Sequence, residues 1–296
     1  MMIPVQTPLY AILKYWLWDF IFLLPLCVLL AVLFVVLIQH RKRRKASLPE
    51  KIMQGINDNE FYICYQPIQD VATGMCMGAE ALLRWRRPDG KWISPDIFIA
   101  AAEDEDLIIP LTHHLFEKVL KDTDSWKITN EFHLGINISS AHLESPDFVN
   151  DILSLRKILR LRGIKLVIEI TERNIIKNDE QTKQVLTYLR KIGVIIAIDD
   201  FGTGYCSLSY LETLPLDHLK IDKSFIDAIK TSESRAPVLN MIIKLAQELN
   251  LKITAEGVET KCQENYLKAS GVDFMQGYLY SHPMDSANFV RWFQER

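Results

Sequence analysis

Residues 194–205 read Val194-Ile195-Ile196-Ala197-Ile198-Asp199-Asp200-Phe201-Gly202-Thr203-Gly204-Tyr205. The apolar, mostly β-branched run predicts a strand over Val194–Ile198, buried on both faces as in a parallel sheet. Two carboxylates close the strand and a glycine-rich turn follows. In an ideal strand Asp199 and Asp200 project to opposite sides. Both can face one site only if the strand ends between them, and the glycines just beyond permit so sharp a departure.

Working outward, similar short runs recur. Phe61–Tyr65, Met77–Trp85, Phe132–Ile138 and Leu166–Ile170 precede it; His218–Ile221, Lys252–Ala255 and Phe274–Gln276 follow. Segments of helical period lie between them: Pro95–Asp104, Leu111–Trp126, Asp147–Leu161, Glu180–Ile192, Arg235–Asn250 and Lys261–Ser270. This alternation predicts a parallel sheet with crossover helices. The first two strands are joined only by Asp70-Val71-Ala72-Thr73-Gly74, too short for a crossover, and are expected to pair as a hairpin. The roughly 250 residues after position 45 suit a closed (β/α)8 barrel, and no low-complexity linker or repeat divides them. The expected fold is α/β: a modified TIM-type barrel with one antiparallel strand, over residues 48–296.

Polar residues gather where these strands end. Asn137 closes the third, Glu169 the fourth with Glu172 just beyond, Asp199 and Asp200 the fifth, Lys220 and Asp222 the sixth, Glu256 the seventh and Gln276 the eighth. In a closed parallel barrel these ends share one rim. Glu80 and Arg84 share a strand face and can both point inward, the acid deeper. So many carboxylates on one rim repel one another unless hard divalent cations with oxygen ligands sit among them. Carboxylates, an amide and a lysine around two cations suit phosphoester hydrolysis. A single strand-end Asp or Glu is more often a helix cap or a solvated charge; the coincidence on one rim favours a site.

The amino-terminal end reads differently. Residues 20–39, FIFLLPLCVLLAVLFVVLIQ, carry no charge and have the length of a membrane-spanning helix. Trp16 and Trp18 lie before the stretch, at the interface level. A cleaved signal peptide has a basic start and a shorter apolar region; here the basic run Arg41–Lys45 comes after. The positive-inside tendency places everything beyond residue 40 in the cytoplasm. The expected organisation is a short extracytoplasmic segment (1–19), one span (20–39), a basic juxtamembrane linker (40–47) that meets anionic lipid, and the barrel. Net charge is −3, from 34 Lys and Arg against 37 Asp and Glu, which argues against a DNA or RNA polymer as partner. Cys27, Cys64, Cys76, Cys206 and Cys262 form no C-x-x-C pair, so neither a disulfide framework nor a zinc site is expected from them.

The ordered motifs resemble the EAL family of cyclic di-GMP phosphodiesterases. Tyr65-Gln66-Pro67-Ile68, Glu80-Ala81-Leu82-Leu83-Arg84, Asn137-Ile138-Ser139 and Glu169-Ile170-Thr171-Glu172 come first. Asp199-Asp200-Phe201-Gly202-Thr203-Gly204-Tyr205, Lys220-Ile221-Asp222, Glu256-Gly257-Val258-Glu259 and Gln276-Gly277-Tyr278 follow in the family order. The resemblance covers residue 50 to the end. It implies a modified barrel with an antiparallel strand, two Mg²⁺ or Mn²⁺ ions, and hydrolysis of cyclic di-GMP to linear pGpG. By resemblance Glu80, Asn137, Glu169 and Asp199 hold one metal, and Asp199 bridges to a second held also by Asp200. Lys220 contacts the attacking water or scissile phosphate. Glu256 is the general base or orients that water through metal. Glu172 shapes the 201–206 loop. Gln66 and Arg84 contact substrate; Asp222, Glu259 and Gln276 do so too, or else support the groups that do. The resemblance further implies a homodimer coupled to the 201–206 loop, and lowered cyclic di-GMP favouring motility over biofilm. Together with the apolar stretch it places the protein at the bacterial inner membrane. One departure is Cys206 where the family commonly has serine. The alternatives are a catalytically silent cyclic di-GMP receptor or interaction module on the same fold, and an unrelated metal-dependent phosphoesterase.

Overall fold

The computed structural model describes residues 25–34, 47–128, 131–171, 180–202, 211–231 and 235–295. The chain divides into two units, Met1–Lys51 and Ile52–Arg296. In the first, residues 25–34 are helical and exposed. Among the described residues no helix is long and apolar enough to cross a membrane; the rest of the 20–39 stretch lies outside them.

The second unit is a closed barrel. Its eight strands are β1 (Phe61–Asp70), β2 (Cys76–Arg86), β4 (Phe132–Asn137), β5 (Ile164–Thr171), β6 (Ile195–Phe201), β7 (His218–Ile221), β8 (Lys252–Ala255) and β9 (Phe274–Gln276). Two short strands, β3 (Trp92–Ile93) and β10 (Met284–Asp285), add antiparallel to β2 and β1. Neighbours run β1-β9-β8-β7-β6-β5-β4-β2, and the β1–β2 pairing closes the ring. From β2 through β9 every pairing in the ring is parallel. The expected hairpin is present, and β1 is the antiparallel strand, opposed to both β2 and β9.

Two strand ends differ from the sequence expectation by more than two residues. The first strand does not stop at Tyr65 but continues through Pro67 to Asp70. A proline lacks a ladder donor and is excluded from most central positions. Here Asp70 N–H donates toward β2, to Met75 O, and Val71 N–H toward β9, to Asp273 O. By alternation the nitrogen of Pro67 faces away from β2. On that side β1 pairs β10 at Cys64 and Tyr65, then β9 from Ile68 onward. Pro67 therefore falls in the gap between partners, where the ladder needs no donor. The second difference is at Asp199 and Asp200. The strand does not end between them; β6 runs on to Phe201, with a bulge between Ile198 and Phe201. Asp200 itself takes the left-handed conformation, φ 53°, which Asp tolerates better than most residues. The bulge re-aims the paired acids without ending the strand.

Each expected helix is present, with ends moved by up to three residues; the stretch expected as Leu111–Trp126 is Ile108–Thr123. That helix stops early because Trp126 turns inward as part of an aromatic plug. Two longer helices were not anticipated, Leu48–Asn57 and Ser286–Gln294. The latter is capped by Asp285, whose side chain accepts from Asn288 N at 2.9 Å. Its Phe289 is buried with ring centroids 4.9 Å from Trp126, 5.8 Å from Tyr65 and 6.0 Å from Phe132. Trp126 Nε1 donates to Ser286 Oγ at 3.0 Å and Tyr65 OH to Asp122 Oδ2 at 2.9 Å. The amphipathic aromatics thus bury their rings and satisfy their polar tips. The plug ties the C-terminal helix to β1 and β4, two strands that supply site residues.

Candidate active site

The parallel register fixes which residues meet. Glu80 pairs with Gly135, Asn137 with Glu169, and Thr171 with Asp199. Glu80 from the middle of β2, and Asn137, Glu169 and Asp199 from at or near the C-terminal ends of β4, β5 and β6, are thus carried on neighbouring strands. Glu80, Glu169, Asp199 and Lys220 are all buried. Lys220 Nζ lies 2.6 Å from Glu169, 2.7 Å from Glu256, 3.2 Å from Asp199 and 3.5 Å from Glu80. Two amides hold Glu80 from either side. Asn137 Nδ2 donates to its Oε1 at 2.7 Å, and Gln276 Nε2 to its Oε2 at 2.8 Å.

The donor oxygens fall into two overlapping groups, each within 4.8 Å: Glu80, Glu169 and Asp199, and then Asp199, Asp200 and Glu256. Asp199 belongs to both. Two carboxylates at that separation repel by about 3.5 kcal/mol at an effective dielectric constant of 20. The titration behaviour follows. Burial drives Glu169 well above the ordinary carboxylate range and raises Asp199 too, against the opposing pull of Lys220. Burial, with Asp199 and Asp222 nearby, raises Asp200 to about 6. Burial outweighs Lys220 at Glu256 and pushes it up to about 8. Burial acts the same way on Glu80, but Lys220, Gln276 and Asn137 overcome it and hold Glu80 below its usual value. Burial works against a charged Lys220, yet its carboxylate neighbours keep it well above the ordinary lysine range.

With all groups ionised, five carboxylates and one ammonium sum to −5 + 1 = −4, a charge that two divalent cations cancel. The donors are hard oxygens, as Mg²⁺ or Mn²⁺ prefers. Glu256 Oε1 touches the Lys220 ammonium but makes no well-aligned hydrogen bond, and Gln276 Oε1 is also buried without a partner. Five carboxylates facing a single ammonium fit a site completed by cations.

The remaining expected residues divide. Gln66 pairs with Glu80 across β1–β2 and its Oε1 accepts from Gln276 Nε2 at 3.1 Å. Gln276 thus supports Glu80 and Gln66 from beneath. Arg84 lines a cavity of about 580 Å³ that also touches Asn137, Thr171 and Asp200; its Nη1 donates to Leu83 O at 3.0 Å. Asp222 caps the short helix Lys223–Ile226, accepting from Ser224 N at 3.0 Å. Glu259 is not drawn into the cluster. It is exposed and paired with Lys223, because the chain after Glu256 turns outward toward the capping box of helix Lys261–Ala269. Glu172, Cys206 and the other residues of 203–210 lie outside the described residues.

Sequence reasoning missed Gly135. A Cβ there would meet Glu169 Oε1 at 2.1 Å and Cδ at 2.9 Å. Only a residue without a side chain lets Glu169 lie over β4. The signal was readable: a glycine inside the apolar run Phe132–Ile136 marks a close approach.

The EAL domain family model matches residues 49–283. The chain is 44% identical over 247 residues to the "Probable cyclic di-GMP phosphodiesterase PdeN" of Escherichia coli K12, covering 83% of this chain and 48% of that protein. It is 40% identical to the "Probable cyclic di-GMP phosphodiesterase PdeG" of the same organism, covering 83% and 49%. The chain therefore spans about half the length of these relatives. Among solved structures, "PaMucR Phosphodiesterase, c-di-GMP complex" superposes with a TM-score of 0.73 at 32% identity, covering 82% of this chain and 99% of that one.

Proposed function

The chain belongs to the EAL family, and from that membership we propose that it hydrolyses cyclic di-GMP to linear 5′-pGpG with two Mg²⁺ or Mn²⁺ ions. One observation carries the proposal: two oxygen-donor groups, each able to hold a cation, share Asp199. Glu80, Asn137, Glu169 and Asp199 would hold the first ion; Asp199, Asp200 and Glu256 the second. Bound there, the ions would lower the pKa of a water and offset the negative charge on the phosphate oxygens.

The rest falls to the chain. Lys220, held fully charged among four acids, offers an ammonium to the attacking water or a phosphate oxygen. Glu256 sits with Asp199 and Asp200, which favours ligation and water orientation over a free general base. Arg84, lining the 580 Å³ cavity, presents a guanidinium to a phosphate or base edge. The cavity's wall of Pro95, Ile99, Ile108 and Leu111 offers an apolar face to a guanine.

The test is full-length protein in detergent with cyclic di-GMP and Mg²⁺ or Mn²⁺. Release of pGpG, abolished by chelator and by Glu80→Ala, is expected. Tight nucleotide binding with no pGpG under saturating metal refutes the enzyme in favour of a silent receptor.

The uncharged stretch 20–39, followed by a basic run, supports a single inner-membrane span with residues beyond 40 in the cytoplasm. Partition into the membrane fraction, lost on deleting residues 1–46, checks it; unchanged solubility refutes it. Lateral confinement by such a span would favour a homodimer, which cross-linking in membranes checks.

A further inference from the structure

A second set of metal-binding side chains lies apart from the carboxylate cluster. His113 stands on helix Ile108–Thr123, His142 on the short helix Ser140–Leu143, and Asp151 on helix Phe148–Leu161. Three elements separated in sequence aim their donors at one point. His113 Nε2 lies 2.7 Å, and His142 Nε2 3.0 Å, from the same Oδ2 of Asp151. All three donor atoms lie within 4.8 Å of one another.

A single histidine–aspartate hydrogen bond needs one ring. Two rings converging on one carboxylate oxygen also bring three donor atoms to where one cation can touch them all. In a tetrahedral site with ligand bonds of about 2.0–2.1 Å, neighbouring donors sit roughly 3.3–3.4 Å apart. To admit an ion the His142–Asp151 separation opens by about 0.3–0.4 Å and the His113–Asp151 separation by about 0.6–0.7 Å. His142 is fully buried, its ring held between Phe116 at 5.9 Å and Phe148 at 5.2 Å. Burial holds its pKa below the ordinary histidine value against the pull of Asp151; without an ion its Nε2 donates to Asp151, and taking one moves the ring proton to Nδ1 or to solvent. His113 is half-exposed, with 46% of its side chain in solvent, and opens a path for entry and a position for water.

The donor set differs in kind from the barrel mouth. Two imidazole nitrogens and one carboxylate suit a borderline divalent ion, while all-oxygen sites suit Mg²⁺. We propose that His113, His142 and Asp151 form a second divalent-cation site, selective for a zinc-class ion, that clamps three helices behind the strand end carrying Asn137. Asn137 ends β4, and Ser139 Oγ accepts from His142 N at 3.3 Å. An ion on His142 therefore fixes the turn directly after a residue of the proposed catalytic set. Nδ1 of His142 is buried without a partner. The site thus lacks the outer hydrogen bond that tightens structural zinc centres, and the ion should exchange readily with chelators.

The experiment uses full-length protein in detergent with Mg²⁺ in excess to fill the carboxylate site. Zn²⁺ is added under calorimetry and, separately, Co²⁺ is followed by visible absorption. One Zn²⁺ per chain is expected, with a rise in unfolding temperature and the Co²⁺ spectrum of a nitrogen-ligated ion of low symmetry. His113→Ala should weaken this event by more than about tenfold, since losing a ligand exceeds losing an outer partner. Asp151→Asn should do the same with less change in shape, and Glu80→Gln should leave it intact. No zinc uptake under excess Mg²⁺ overturns the proposal. So does uptake that survives both His113→Ala and Asp151→Asn, or that disappears with Glu80→Gln.

Discussion

Substituting Gly135 by alanine tests the geometry of the site through a residue with no chemistry of its own. The new methyl would lie 2.1 Å from Glu169 Oε1, whereas ordinary contact begins at 3.4 Å. The carboxylate must retreat by about 1.3 Å, or β4 must shift by a similar distance. Glu169 is buried and bound to Lys220 at 2.6 Å, so it has little room to turn. A misplacement of about 1 Å at a reacting centre can cost on the order of a hundredfold in rate. Overpacking a tight interior costs roughly 1–3 kcal/mol. Gly135→Ala should therefore fold, unfold at a lower temperature, and hydrolyse cyclic di-GMP at least about a hundredfold more slowly. It should also need more Mg²⁺ or Mn²⁺ for half-maximal rate. Initial-rate measurement of pGpG release across a metal titration, with circular dichroism to establish folding, reads all three. A folded variant with wild-type kcat/KM and unchanged metal requirement would refute the placement of Glu169 over β4.

Three further outcomes follow from the same contacts. Without metal, Glu256 holds its proton to about 8 and Asp200 to about 6, against ordinary values of 4.5 and 3.8. At these two groups the folded state binds more protons than the unfolded chain, whereas burial of His218, His114, His133 and His142 acts the other way below about 6.5, so the fall in stability with rising pH is expected above that value, as Glu256 ionises. Thermal unfolding of chelator-treated protein from about pH 7 to about pH 8 should show the decline, and excess Mg²⁺ or Mn²⁺ should cancel it because ligation needs ionised carboxylates; a flat metal-free profile over that range contradicts this. Lys220→Met removes the counter-charge from acids at 2.6, 2.7 and 3.2 Å and should lose activity and about 3 kcal/mol or more of metal-free stability in denaturant titrations. Phe289→Ala empties the centre of the plug formed with Tyr65, Trp126 and Phe132 and should cost about 3–5 kcal/mol in the same assay.

The barrel was legible because parallel strands buried on both faces write themselves as apolar runs, and helices between them as a different period. The rim was legible for the same reason: Asn137, Glu169 and Asp199 interrupt apolar runs at their C-terminal ends. What stayed hidden depended on partners distant in sequence. Pro67 reads as a strand terminator until the gap between β9 and β10 is known. The paired aspartates read as a strand end because a bulge is a property of two strands, not one. Helix Ser286–Gln294 is short and held by an aromatic plug from β1, β4 and the segment after Thr123, none of it local. Glu259 has the residue type of a site but lies where the chain has already turned outward to meet Lys223. Gln276, expected to contact substrate or to support the groups that do, donates to Glu80 and Gln66.

The account rests on Asp199 standing between two cations, and crystals of the protein grown with Mn²⁺ address that directly. An anomalous difference map should hold two peaks in contact with Asp199, one also ligated by Glu80, Asn137 and Glu169, the other by Asp200 and Glu256. Saturating Mn²⁺ with no peak at Asp199, or a lone peak ligated by other residues, would contradict it.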